Sequence, residues 1–200
     1  MIALLIPLVL AVGLLVAARA GKTQTSSVVA PTPQPLPVQP LPPPSTQPLP
    51  KKPSRVLLIG DSLAVGMRPY ARSSGATVEA EGGTTARQWL GRVEALLIRD
   101  RPEVLLVSAG TNDAAGKITS SSFAAQAAQM SQLAAKYGAR CVWLFPPPMP
   151  FSLQSIRDGL IAADVAIIEP PAGLPRAPDR IHLPGAGYAA WWAHVAATLG

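Results

Sequence analysis

Cysteine, charged and aromatic residues are all scarce in this sequence of 200 residues. Cys141 is the single cysteine, so neither an internal disulfide nor a cysteine metal cluster can form. Only 14% of the residues are charged, and no basic run with interleaved aromatic residues occurs, so we expect no nucleic-acid binding. The pattern H-E-x-x-H, a phosphate-binding loop and the pattern G-x-S-x-G are also missing. We therefore expect no metal, no cofactor and no standard α/β-hydrolase.

Proline, in contrast, is abundant, and its distribution divides the chain. Eleven of the 23 prolines lie in residues 31–53. Residues 23–53 are mainly Ser, Thr, Gln and Pro, which cannot form a packed core and favour an extended tether of ~3.1 Å per residue. We therefore predict a Pro-rich disordered linker over 23–53. Residues 54–200 are long enough to bury a core, and we expect one domain there, acting as a monomer.

The first 22 residues are dominated by an apolar run without charge. Residues 2–18 form this run, which is at the lower limit for a membrane-spanning helix and long for the core of a signal peptide. The ARA that follows resembles a cleavage site, whereas Arg19 and Lys22, counted strictly, favour a cytoplasmic carboxyl side. Because a Pro-rich tether can space a domain from a membrane, we still expect export. Residues 1–22 are then an anchor or a cleaved signal, and the folded domain is periplasmic, at the cell surface or secreted.

Strand and helix patterns alternate through the predicted domain. Continuous apolar runs predict strands, and apolar positions spaced by three and four residues predict helices. Strands separated by helices pair in parallel, so we predict a five-stranded, doubly wound, flavodoxin-like sheet with helices on both faces, a three-layer α/β/α sandwich. The predicted strands are 55–59, 76–82, 103–110, 139–145 and 165–170, and the predicted helices are 63–74, 85–100, 122–138, 152–164 and 187–200.

Four polar motifs follow predicted strands of this sheet. Because the carboxyl ends of parallel strands meet at one edge, where such folds bind ligands, we expect the motifs to converge there. They are GDS at 60–62, EGGTTAR at 81–87, GTND at 110–113 and DRIH at 179–182.

The residue types in these motifs match the needs of acyl transfer. Ser62 can act as the nucleophile and His182 as its base, while Asp179, three residues earlier, can orient the imidazole. The side-chain amide of Asn112 and the backbone N–H groups of Gly83 and Ser62 can form an oxyanion hole with three donors.

Each motif alone also has a simpler structural interpretation. GDS can be a capped turn before a helix, GTND an Asx-type turn, and DRIH a capping aspartate beside an incidental histidine. We expect Asp61 to shape its turn, Asp113 to hold the Asn112 loop by backbone bonding, and His194 to be structural or exposed. The segment FPPPMPF at 145–151 is either a wall of the site, with Met149 as an apolar contact beside Phe151, or a stiff connector.

In their order along the chain, the motifs resemble those of the SGNH, or GDSL-type, hydrolases over residues 55–198. GDSLAVG resembles the first block, with Ser62 as nucleophile, and GTND the third, with Asn112 as oxyanion donor. GGTTAR resembles the second block, whose donor glycine we assign to Gly83, with Gly82 as the alternative. DRIH resembles the last block and carries Asp179 and His182. The resemblance implies the same five-stranded fold and a serine esterase that forms an acyl-enzyme.

The short connections and the lack of a long lid favour an open site for a polymer. Combined with an envelope tether, this leads us to expect hydrolysis of small acyl esters, mainly O-acetyl esters, on cell-envelope or extracellular carbohydrate. The alternatives are a lysophospholipase or thioesterase, an O-acetyltransferase acting on envelope polysaccharide, and a binding module that has kept the fold.

Overall fold

The computed structural model describes residues 53–200. The predicted anchor or signal over 1–22 and nearly all of the predicted linker lie outside the described residues. In chain order the elements are β1 (Val56–Gly60), α1 (Ser62–Ser73), β2 (Thr77–Ala80), α2 (Ala86–Asp100), β3 (Val104–Ser108), α3 (Thr111–Ala115), α4 (Ser120–Lys136), β4 (Arg140–Leu144), α5 (Gln154–Ala162), β5 (Ala166–Ile168) and α6 (Gly185–Leu199). Within 53–200, no helix has the length and hydropathy that crossing a bilayer requires.

The five strands form one parallel sheet in the order β2-β1-β3-β4-β5. The chain winds outward in both directions from β1 and β3, which lie side by side with Leu57 opposite Leu105. This is the predicted doubly wound arrangement, and the prediction is confirmed. The connections after β1 and β3 diverge at this point, and the carboxyl edge there is where doubly wound sheets bind ligands.

Helices cover both faces of the sheet because successive apolar residues of each strand point to opposite sides. In β1, Leu57 and Ile59 pack into one core with α2, α4 and α5, whereas Leu58 packs into a second core with α1 and α6. The strands are apolar without interruption because both of their faces are buried. The three-layer α/β/α architecture is therefore the predicted one.

The short helix α3 was not predicted. It occupies the stretch that the sequence indicated only as the GTND motif, and it begins directly after Gly110, whose φ of 127° few other residues adopt. Five residues are too few to show helical periodicity in a sequence. The helix matters because it fixes the residues of GTND on a rigid turn at the end of β3.

Candidate active site

Ser62 lies at the carboxyl end of β1, where the strand turns into α1. Gly60 permits this turn because a Cβ at its position would lie 2.1 Å from the carbonyl oxygen of Ser108 on the neighbouring strand. The buried carboxylate of Asp61 then caps α1 by accepting a hydrogen bond from the N–H of Leu63 at 2.9 Å. Asp61 thus shapes the turn as predicted, and Ser62 is the first residue of the helix.

Ser62, His182 and Asp179 form one chain of hydrogen bonds. The Ser62 Oγ lies 2.9 Å from His182 Nε2, and His182 Nδ1 lies 2.6 Å from Asp179 Oδ2. The other carboxylate oxygen of Asp179 accepts from the N–H groups of Ile181 and His182, both at 2.9 Å. The structure therefore brings together the three residues that the sequence indicated, although Asp179 and His182 are 120 or so positions away from Ser62 in the chain.

The hydrogen bonds to Asp179 keep its carboxylate ionised. The contact with the His182 side chain and the two N–H donors lower the pKa of Asp179 to about 2. An ionised carboxylate at Nδ1 favours the tautomer that carries a proton on that nitrogen, which leaves Nε2 free to accept the proton of Ser62. The arrangement can therefore activate a serine hydroxyl.

The loop that carries Asp179 and His182 is irregular but tied at several points. The N–H of Ala177 donates to the carbonyl of His182 at 3.0 Å, and Arg180 adopts a left-handed conformation with φ of 57°. The guanidinium of Arg176 donates to the carbonyl of Ile181 at 3.3 Å and also to the carbonyl of Pro148. Arg176 thus links this loop to the segment that follows β4. No sequence pattern marks this role, because both acceptors are backbone carbonyls.

Asn112 is held against the turn that follows β2. It lies in α3, and its Nδ2 donates one hydrogen bond to the carbonyl of Thr84 at 2.9 Å. Thr84 is itself fixed, since its buried hydroxyl accepts from Trp89 Nε1 and donates to the carbonyl of Glu81. A side-chain amide has two N–H groups, so the second of Asn112 can serve an oxyanion. The sequence did not single out Thr84, although it lies inside the GGTTAR motif.

The turn that follows β2 carries the two candidate glycines for the oxyanion donor, Gly82 and Gly83. A Cβ placed on Gly82 would be 3.9 Å from the Cβ of Ser62, whereas one on Gly83 would meet no atom within 4 Å. Gly83 has φ of 79°, a left-handed conformation that glycine adopts without strain. The assignment of the oxyanion donor to Gly83, with Gly82 as the alternative, stays a prediction.

Asp113 joins the third motif to the second. Its buried Oδ2 accepts a hydrogen bond from the N–H of Ala86 at 3.0 Å, at the start of α2. The prediction that Asp113 bonds to backbone is confirmed, and the structure identifies the N-terminus of α2 as its partner. His194 is exposed on α6 and belongs to none of the contacts described above.

A cleft of about 480 Å³ opens at the carboxyl ends of β4 and β5. The segment after β4 contributes Phe145 and the three prolines that follow it, but the lining does not include Ser62, Asp179 or His182, so a role of FPPPMPF as a wall of the catalytic site stays a prediction. Met149 lies beyond the cleft and packs against the second core. The cleft is lined by Phe145, Pro146, Pro147, Pro148, Arg157, Glu169, Pro170, Pro171, Ala172, Gly173, Leu174 and Arg176.

Solved structures share this fold. A GDSL-like lipase from Bacteroides thetaiotaomicron matches 76% of this chain and 90% of its own, with a TM-score of 0.62 and 19% identity. An esterase from Pseudoalteromonas, solved in an inhibited form, matches 71% of this chain and 94% of its own, with a TM-score of 0.57 and 13% identity. An acetyl-xylooligosaccharide esterase from Geobacillus matches 74% of this chain and 94% of its own, with a TM-score of 0.54 and 15% identity.

No protein-family model and no curated protein matches the chain. The structural matches cover nearly the whole length of the other proteins and the described domain of this one. The fold is therefore that of the GDSL-type hydrolases, as the motif resemblance implied.

Proposed function

We propose that this chain is a serine ester hydrolase of the SGNH family. In this proposal it removes small acyl groups, mainly acetyl, from carbohydrate of the cell envelope or the extracellular space. The observation that carries the proposal is the hydrogen-bond chain from Ser62 Oγ through His182 to Asp179 at the edge where a doubly wound sheet binds its ligands. The ordered motifs and the shared fold of proteins named lipase and esterase support it.

In the first half of the reaction, Ser62 Oγ attacks the ester carbonyl carbon while its proton passes to His182 Nε2. The negative charge that develops on the carbonyl oxygen accepts hydrogen bonds from Asn112 Nδ2, from the N–H of Gly83 and from the N–H of Ser62. The last of these is at the N-terminus of α1, where N–H groups have no intrahelical acceptor. The bond to the alcohol oxygen then breaks, that oxygen takes the proton from Nε2, and the acyl group stays on Ser62.

In the second half, water removes the acyl group. His182 Nε2 takes a proton from the water as its oxygen attacks the acyl carbon, and the same donors hold the second oxyanion. The bond to Ser62 Oγ breaks, and Oγ recovers the proton from Nε2. The products are a carboxylic acid and the free enzyme, and no step needs a group from outside the chain apart from water.

Ser62 lies at the carboxyl edge of the sheet. The described chain begins at the opposite edge of the sheet, where Ser54 donates two hydrogen bonds to the carboxylate of Glu103. The five residues of β1 then separate this edge from Ser62 by roughly 17 Å. The site is therefore remote from the point at which the described chain begins. Two of the structures that share the fold are named for acetylated xylan or xylo-oligosaccharide.

A series of p-nitrophenyl esters tests the proposal. We expect acetate and butyrate to be cleaved faster than long-chain esters, and Ser62→Ala to reduce the rate to below a few per cent. Ser73→Ala, an exposed serine at the other end of α1, is the control and should keep full activity. Substantial turnover in Ser62→Ala with an intact fold would rule out the assignment of Ser62. Release of acetyl to added sugars at the expense of water would identify a transferase instead.

A further inference from the structure

We propose that the cleft at the ends of β4 and β5 binds the sugar chain that carries the ester. This inference rests on the proposed function and extends it, because it assigns a binding site to residues outside the catalytic motifs. The cleft of about 480 Å³ lies between the segment after β4, with Pro146 to Pro148, and the loop after β5, with Pro170 to Leu174. A cleft of this size falls in the range of small-ligand sites.

The cleft is contiguous with the loop that carries the catalytic base. Arg176 lines the cleft, and the same guanidinium donates to the carbonyl of Ile181, the residue before His182. Two strand spacings separate β1 from β4 in the sheet, so the cleft begins ~10 Å from the end of β1. A substrate bound there must extend over about two sugar units to present an ester to Ser62.

The backbone of the cleft accepts hydrogen bonds more readily than it donates them. Five of its lining residues are prolines, which have a carbonyl oxygen but no N–H. Their rings add flat apolar surface, as do Ala172 and Leu174. A sugar offers the complementary features, since its hydroxyl groups donate hydrogen bonds and its C–H faces are apolar.

The charged groups of the cleft favour a neutral ligand over an anionic one. Arg157 makes a bidentate ion pair with Glu169, with N–O distances of 2.6 and 2.9 Å. Its Cζ lies 3.9 Å from the ring centroid of Phe145. Arg176 is engaged with backbone carbonyls. Both guanidinium groups therefore have acceptors already, whereas the outer lone pairs of Glu169 can still accept from hydroxyl groups.

The same groups disfavour a long acyl chain. An alkyl chain in the cleft would remove the half-exposed Arg157 and Glu169 side chains from water without giving them a hydrogen bond in return. Sugar hydroxyl groups would replace the lost water contacts. The cleft therefore fits a hydroxyl-rich oligosaccharide, which agrees with a substrate that is a polymer and not a lipid.

Filling the cleft with Ala172→Trp tests this inference by kinetics. Ala172 is exposed, so the variant should fold, and Ala95→Trp, at an exposed position of α2 outside the cleft, is the matched control. We measure kcat/KM for acetylated xylohexaose and for p-nitrophenyl acetate. We expect the ratio of the two to fall at least tenfold in Ala172→Trp and to stay at the wild-type value in Ala95→Trp. An unchanged ratio overturns the inference, and so does a selective loss with p-nitrophenyl octanoate, which would make the cleft an acyl site.

Direct binding separates this inference from the proposed function. Ser62→Ala, which cannot turn over substrate, is titrated calorimetrically with hexasaccharides of β-1,4-linked xylose, glucose, N-acetylglucosamine and mannose. We expect at least one to bind, with an affinity that Ala172→Trp weakens at least tenfold in the same background. No binding by any of the four, or binding that Ala172→Trp leaves intact, contradicts the cleft assignment. Failure of the proposed function would give a different result, namely no Ser62-dependent cleavage of p-nitrophenyl acetate.

Discussion

At the scale of single residues, the two aspartates near Ser62 have opposite environments. Asp179 is exposed and accepts three hydrogen bonds, which lower its pKa to about 2. Asp61 is fully buried, and loss of solvation raises its pKa from 3.8 to about 7 in spite of the hydrogen bond from Leu63. Asp179 is therefore ionised at neutral pH and provides a negative charge beside His182. Asp61, in contrast, caps α1, and its ionisation destabilises the folded state.

Asp61→Asn should remove this opposition, because asparagine keeps the acceptor for Leu63 but cannot ionise. Below pH 4, Asp61 is protonated in both the folded and the unfolded chain, so it does not lower the free energy of unfolding. Between pH 4 and 7 only the unfolded chain loses the proton, so the wild type loses stability as the pH rises, and above pH 7 the loss is complete. Across this range, we expect the free energy of unfolding of the variant to rise relative to that of the wild type by up to about 4 kcal/mol. Urea denaturation from pH 4 to 8 measures it, and a stability difference independent of pH would contradict the account.

Asn112→Ala tests the oxyanion role. Because a donor to the oxyanion acts mainly in the transition state, we expect kcat to fall ~100-fold or more while KM changes little. Steady-state kinetics with p-nitrophenyl acetate separate the two parameters. An increase in KM alone would show that Asn112 binds substrate in its ground state.

The sequence predicts the site well at this scale because its four motifs carry side-chain chemistry. Ser62, His182 and Asp179 could be named from their motifs before their distances were known. The choice between Gly82 and Gly83 could not, because it depends on the direction of a backbone N–H. Arg176 was missed for a related reason, since its partners are carbonyl groups that any residue could provide.

At the scale of elements, the packing of α6 against α1 connects the second core to the site. α6 begins three residues after His182, and its Tyr188 ring lies over Gly66 of α1, one turn after Ser62. A Cβ on Gly66 would lie 2.1 Å from the ring of Tyr188. This contact sets how closely the two helices approach, and thereby where the loop before α6 places its histidine.

Gly66→Ala should therefore destabilise the domain by about 1–3 kcal/mol through overpacking and should also lower activity. Gly91→Ala is the matched control, because Gly91 is also inside a helix but a Cβ there meets no atom within 4 Å. The free energy of unfolding of this control should rise by up to about 1 kcal/mol, because alanine has a higher helix propensity than glycine. Urea denaturation of both variants decides the matter, and equal effects would show that the Tyr188 contact does not limit the packing.

Periodicity was sufficient to predict the longer elements but not the connections between them. Apolar runs and three-to-four spacing indicated every strand and the five long helices of residues 53–200, and parallel pairing followed from their alternation. The five-residue α3 and the cleft depend on tertiary contacts, such as that between Arg176 and Pro148. Such contacts join segments that are distant in the chain and leave no repeating pattern.

At the scale of the whole molecule, the predicted anchor and linker should serve location and not chemistry. A chain that starts at Lys51 keeps every residue of the candidate site. We expect it to cleave p-nitrophenyl acetate as fast as the full chain but to be less effective on cell-wall fragments, because a tether raises the local concentration of the domain near its substrate. Slower cleavage of the soluble ester would show that residues 1–50 contribute to the site itself.

Every step of the proposed reaction depends on an acyl group being carried by Ser62. Mass spectrometry of the full chain after reaction with a fluorophosphonate measures this most directly, because the reagent stays on an activated serine. We predict one adduct per chain, located on the peptide that contains Ser62, abolished by Ser62→Ala and strongly slowed by His182→Ala. An unmodified Ser62, or an equal rate of labelling in His182→Ala, would contradict the central claim.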